Sequence, residues 1–121
     1  MQEDKKIDIS RTKLFELHAT YGARFIEFAD YLVPLAYGNG TIKETIFTRE
    51  SCSFFDVSHM GQIDLIGKNA SQEIDKLIPS NITSIDTDKS IYSMILNDNG
   101  GIIDDLIITK KNDRISLVVN A

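Results

Sequence analysis

Apolar residues along this chain follow two rhythms, a spacing of three to four and a strict alternation, and the rhythm changes from segment to segment. Leu14, Leu17 and His18 carry the helical spacing and predict a short helix ended by Gly22. Ala23–Phe28 is short and rich in β-formers and predicts a strand; Tyr31–Leu35 predicts a second, which Pro34 restricts to an edge or an end. Gly38-Asn39-Gly40 is a turn, and Thr41 with Glu44 has the form of a capping box opening a helix that runs to about Cys52. Gln62–Ile66 alternates as a strand. Asn69 is placed to cap a helix whose apolar face is Ala70, Ile74, Leu77 and Ile78, stopped by Pro79. Ile91–Leu96 and Ile102–Thr109 predict a hairpin around Asn97-Asp98-Asn99-Gly100-Gly101, and Ile115–Asn120 a last strand after a turn at Lys111-Asn112-Asp113.

Helices interleaved with hairpins predict an α+β fold on an antiparallel or mixed sheet rather than a doubly wound parallel one. The length of 121 residues suits one domain with one core. Residues 1–11 read as a flexible polar lead and residues 12–121 as the folded part. The chain stops at Asn120-Ala121 directly after an apolar run, which predicts a C-terminal truncation of the domain.

Composition narrows the function classes. With 42% hydrophobic and 26% charged residues the chain is an ordinary globular one. A net charge of -5 offers no excess of cations for nucleic acid or an anionic membrane. No apolar run is long enough to span a bilayer, the first residues lack the marks of a signal or transit peptide, and the single Cys52 points to a reducing compartment, so the cytoplasm is the expected location.

The strongest anomaly is Gly100-Gly101-Ile102-Ile103-Asp104-Asp105-Leu106-Ile107-Ile108, two carboxylates inside an otherwise apolar strand. Alternation sends them to opposite faces. A buried carboxylate needs donors or a cation, and such placement tunes an acid for catalysis or binding; equally, either Asp can be solvated on an exposed face or cap the adjacent turn. Tyr92 can stack on a planar ligand or belong to the core. Asp56, Ser58 and His59 invite a hydrolase reading, but no Gly-x-Ser-x-Gly turn accompanies them, and His59 is expected as a hydrogen-bonded residue fixing a turn. His18 and His59 lack clustered partners, so no metal site is expected. Gly38-Asn39-Gly40 and Gly100-Gly101 do not make a phosphate loop.

Phe55-Asp56-Val57-Ser58-His59-Met60-Gly61, Tyr92-Ser93-Met94, the Gly100–Ile107 run and Val118-Val119-Asn120-Ala121 together resemble, in order and spacing, the aminomethyltransferase family, the T-proteins of the glycine cleavage system. Leu14-Phe15-Glu16-Leu17-His18, Phe28-Ala29 and Leu32-Val33-Pro34 extend the resemblance toward the N-terminus, while Asp30-Tyr31 departs from the usual Gly-Trp. The resemblance implies a three-domain enzyme of glycine catabolism and one-carbon metabolism. It would take an aminomethyl group from the lipoyl arm of the H-protein and yield methylenetetrahydrofolate and ammonia. It further implies Asp105 as the catalytic acid near the N10 region of tetrahydrofolate, held in a mostly apolar pocket, with Met60, Tyr92 and Asn120 lining that pocket and Asp104 as its structural partner. The alternatives are a non-catalytic folate-binding module, or a truncated remnant, related to the folate domains of sarcosine and dimethylglycine oxidases.

Overall fold

The β-forming runs pair into two separate sheets, one in each of two compact units of the chain, divided between His59 and Met60. The computed structural model describes residues 9–121. The chain thus forms two compact units rather than one. The described cluster of buried apolar side chains, Ile74, Ile78, Ile82, Leu106, Ile108, Ile115 and Leu117, belongs wholly to the second.

In the first unit, β1 (Ser10–Arg11) runs parallel to β3 (Tyr31–Ala36), and β2 (Arg24–Phe28) pairs antiparallel on its other side. Ser10 and Arg11, expected in a flexible lead, are thus part of a sheet; the rest of that lead, up to Asp8, lies outside the described residues. Pro34 sits in the middle strand of three rather than at an edge. It is tolerated because the described β1 pairing reaches only Leu32, so that among the described residues Pro34 has no strand partner on that side. The register with β2 also shifts beside it, as expected where a ladder donor is missing.

Helix α1 (Phe15–Thr20) closes at Gly22, whose N–H and that of Ala23 return to Ala19 and His18. Helix α2 (Gly40–Glu50) stops short of Cys52, and the capping box does not form. Glu44 turns instead to accept the backbone N–H of Tyr37 at 2.8 Å, tying the helix to the end of β3.

His18 on α1 anchors the segment that ends this unit. Its Nε2 lies 2.8 Å from Asp56 Oδ2 and its Nδ1 2.6 Å from Tyr37 Oη, and the Asp56 side chain is only 2% exposed. An ionised Asp56 can only accept, so Nε2–H donates to it, while Nδ1 shares a hydrogen bond with the tyrosine hydroxyl. Burial, helped by the charges of Glu44 and Asp56, raises the Tyr37 hydroxyl and keeps its proton in place. Burial also pushes the Asp56 carboxyl up, but Ser58, through its hydroxyl and N–H, and His18 outweigh it and hold Asp56 well below the usual carboxylate range.

The second unit is one antiparallel sheet in the order β4-β7-β6-β5, built from β4 (Gly61–Ile66), β5 (Ser90–Leu96), β6 (Ile102–Lys110) and β7 (Arg114–Val119). One face meets α3 (Ala70–Ile74) and the segment after it. That helix is shorter than its periodicity predicts, because Asp75 turns back to accept the N–H groups of Ile82 and Thr83 at 2.6 and 3.1 Å. Ile78 and Ile82 still reach the core from this curl. Lys110 Nζ fastens the segment from the sheet side by donating to the carbonyls of Thr83 and Ile85.

Three substitutions test this arrangement. Ala29 and Asp30 turn the β2–β3 hairpin with φ of 48° and 60°, the left-handed pair that Asn-Gly adopts without strain. Replacing them with Asn-Gly is expected to raise unfolding free energy in urea by about 1 kcal/mol. His18→Ala is expected to lower it by about 2 kcal/mol, since a hydrogen bond to a buried charge is lost. Because Asp56 is depressed in the folded chain, its contribution is full above the ordinary Asp value near ~3.9 and drains away as pH falls below it. Stability measured against pH should therefore fall off less steeply in acid for Asp56→Asn than for the unaltered chain.

Candidate functional site

The second sheet has a covered face and an open one, and β6 runs through its middle. Pairing sets the two faces residue by residue. Leu106, Ile108, Ile115 and Leu117 turn to the core, while Ile107 stands beside Tyr92 and Val118 on the other side and Asp105 beside Met94. Ile107 is 45% exposed and Tyr92 66%, so this face carries an apolar strip open to solvent. Tyr92 is not a core residue.

Alternation alone would separate Asp104 from Asp105, and the structure corrects this. Between Ile95 and Leu96 the register with β6 slips by one, so that Ile103 is a bulge residue directly before the two acids. On the other side, the described β6–β7 pairing stops at Ile107 and Val118, short of the acids. Asn120, just past β7, fills that gap with its side chain. Its Nδ2 lies 2.7 Å from Asp104 Oδ1, 3.0 Å from Asp105 Oδ1 and 3.2 Å from the Asp105 carbonyl, and its backbone N–H reaches Asp104 Oδ2 at 3.3 Å. The two acids converge on one amide instead of pointing apart.

Asp105 is gripped from the opposite side as well, since Tyr92 Oη donates to its Oδ2 at 2.9 Å. This bond, ahead of burial and the charge of Asp105, raises the Tyr92 hydroxyl and holds it protonated. The Asn120 side-chain amide is the main cause that lowers Asp104, and the backbone N–H groups of Asn120 and Asp105 add to it. Each oxygen of Asp105 thus has one donor, which fixes its plane and leaves lone pairs for an incoming N–H.

Three of the four residues implied by resemblance, Tyr92, Asp105 and Asn120, are joined by hydrogen bonds. Met60 lies at the same end of the sheet: Gly61 pairs with Val119, so Met60 is next in line opposite Asn120, half-buried. A Cβ at 61 would stand 2.8 Å from Val119 Cγ2, so a side chain there would force Val119 to shift. The expected apolar shielding of Asp105 is absent among the described residues of this unit. Asp105 is exposed, because nothing in the unit covers the face it stands on.

The first unit holds an open cavity of about 800 Å³ whose lining includes His18, Tyr37, Phe47, Phe55, Asp56 and His59, and none of the four implied residues. Of its ionisable groups, His18, Tyr37 and Asp56 are engaged with one another, and the chemistry is better sought on the sheet, where Tyr92, Asp105 and Asn120 are joined. No triad forms from Asp56, Ser58 and His59: Asp56 bonds His18, and Ser58 Oγ accepts from the Lys13 N–H. His59 is not the hydrogen-bonded turn residue expected of it. Among the described residues its Nδ1 is buried without a hydrogen-bond partner, and its ring packs against Phe28 and Tyr31.

Residues 14–121 match the GCVT N-terminal domain family. The aminomethyltransferase of Thermotoga sp. (strain RQ2) is 43% identical over 114 residues, covering 93% of this chain and 31% of the relative. The mitochondrial aminomethyltransferase of Dictyostelium discoideum is 36% identical, covering 94% of this chain and 28% of the relative. Among solved structures, the glycine cleavage system aminomethyltransferase T from Bartonella henselae superposes with a TM-score of 0.85 at 37% identity, over 93% of this chain and 32% of that one. The chain spans about a third of the length of these relatives. With nearly all of its length inside the matched region, and the Asp104-Asp105 strand among it, the chain belongs to the GCVT N-terminal domain family.

Proposed function

We propose that this chain supplies the acid-bearing part of a tetrahydrofolate-dependent aminomethyltransferase of the glycine cleavage system. The observation that carries the reading is the clamp on Asp105, one oxygen held by Tyr92 and the other by Asn120. A carboxylate fixed in this way can accept a proton from an amine of the folate and orient that amine for attack. Tyr92 and Asn120 would border the folate beside Asp105, Met60 would add an apolar contact at the Asn120 end of the sheet, and the exposed side of Ile107 suits a flat ring. The folate supplies the amine that takes up the one-carbon unit. The aminomethyl group would arrive on the lipoyl arm of H-protein, and ammonia would leave. A cytoplasmic setting accords with the lone Cys52.

Asp105→Asn is nearly isosteric and can still accept from Tyr92, but it takes up a proton poorly. In the full-length protein it is expected to reduce methylenetetrahydrofolate formation by at least about 100-fold. Tetrahydrofolate binding, measured by calorimetry, should partly survive. Turnover equal to that of the unaltered protein would refute the catalytic role, and binding without turnover in both proteins would favour a folate-binding module instead.

A further inference from the structure

The proposed catalytic acid does not hold itself in place, and the residue that holds it is in turn held by another. Asn120 follows the last residue of β7, so no described strand pairing fixes it. Its amide has two N–H groups and three acceptors within 3.2 Å, of which Asp104 Oδ1 is nearest. Asp104 also meets the Asn120 backbone N–H through Oδ2, making a two-point grip on one residue. The second N–H of the amide is left to Asp105, shared between its Oδ1 and its carbonyl. Asp104 is half-buried on the central strand, directly after the bulge at Ile103, and its two oxygens both face Asn120.

From this geometry we infer that Asp104 is a positioning residue: it orients the Asn120 amide so that one N–H of that amide fixes the rotation of the Asp105 carboxylate. Its importance for transfer rests on the function proposed above, while the orientation itself does not. Asp104 touches neither the open side of Asp105 nor Tyr92 Oη in this arrangement. Its loss should therefore act on turnover through Asn120, with little effect on how tightly folate is held.

Two readouts separate these levels. In the 121-residue chain labelled with nitrogen-15, the Asn120 side-chain amide should give two well-resolved proton signals that shift together as acid protonates Asp104. Asp104→Ala should collapse that separation and reduce the acid-dependent shift, and Asp104→Asn, which keeps one acceptor, should restore part of the separation. A thermal melt of each variant establishes that it is folded. In the full-length protein, Asp104→Ala should lower kcat by about 10- to 100-fold with KM for tetrahydrofolate changed by less than about 3-fold, and Asp104→Asn should recover part of the loss. Unchanged amide signals in folded Asp104→Ala would overturn the inference, as would unchanged kcat. If the unaltered full-length protein transfers no aminomethyl group, the proposed function falls, and the amide signals alone decide the role of Asp104.

Discussion

Two adjacent carboxylates on a central strand must each find hydrogen-bond donors, and the second unit is arranged around that requirement. The donors cannot come from the β6–β7 ladder, whose described pairs stop at Ile107 and Val118. They come from Asn120, delivered by β7 one residue after its own pairing with β4 ends at Gly61 and Val119. The same register puts Tyr92 beside Ile107 on β5, close enough to reach the other oxygen of Asp105. Slipping either strand by one residue would turn Tyr92 or Asn120 to the opposite face and leave the acid unclamped. The isoleucines packed under the sheet act against such a slip, because it would also drive Ile115 and Leu117 of β7, or Ile91 and Ile95 of β5, out of the core.

Much of this fold was legible because the strands of the second unit alternate cleanly and their turns carry strong chemistry. The hairpin at Asn97 is a case in point. Asn97 Oδ1 accepts the N–H groups of Asn99 and Gly101, and Gly100 takes a φ of 77°. Elements depart from their sequence pattern where a side chain competes with the backbone. Asp75 ended α3 early by drawing in the backbone of Ile82 and Thr83, and Glu44 left the capping box for the Tyr37 N–H. Neither competition leaves a local signature, since the partner in each case lies about two turns of helix away along the chain.

The site was legible as an anomaly rather than as a geometry. Two acids in an apolar run announced themselves, but alternation assigned them opposite faces, and it is the reach of the Asn120 amide to both carboxylates that joins them. Tyr92 was ambiguous between core and ligand contact until its pairing with Ile107 put it on the open face. The His18–Asp56 contact, between residues 38 apart in sequence, had no signal beyond the polar residues that interrupt Phe54-Phe55-Asp56-Val57-Ser58. Spacing cannot report a meeting of that kind.

The exposure of Asp105 bears directly on its chemistry. A charge interaction across 4 Å is worth roughly 1 kcal/mol in water and about 4 kcal/mol at an effective dielectric of 20. On an open face, the clamp from Tyr92 and Asn120 therefore gives Asp105 direction more than strength. The strength a catalytic acid needs would follow from excluding water above Tyr92, Ile107 and Asp105. A flat ligand seated on that strip would do part of this itself, bringing low-dielectric surface to the carboxylate as it brings the amine. Orientation built into the sheet and desolvation brought by the bound molecule are then separate contributions. That separation is the physical reason a carboxylate can stand exposed on this strand and still be held for reaction.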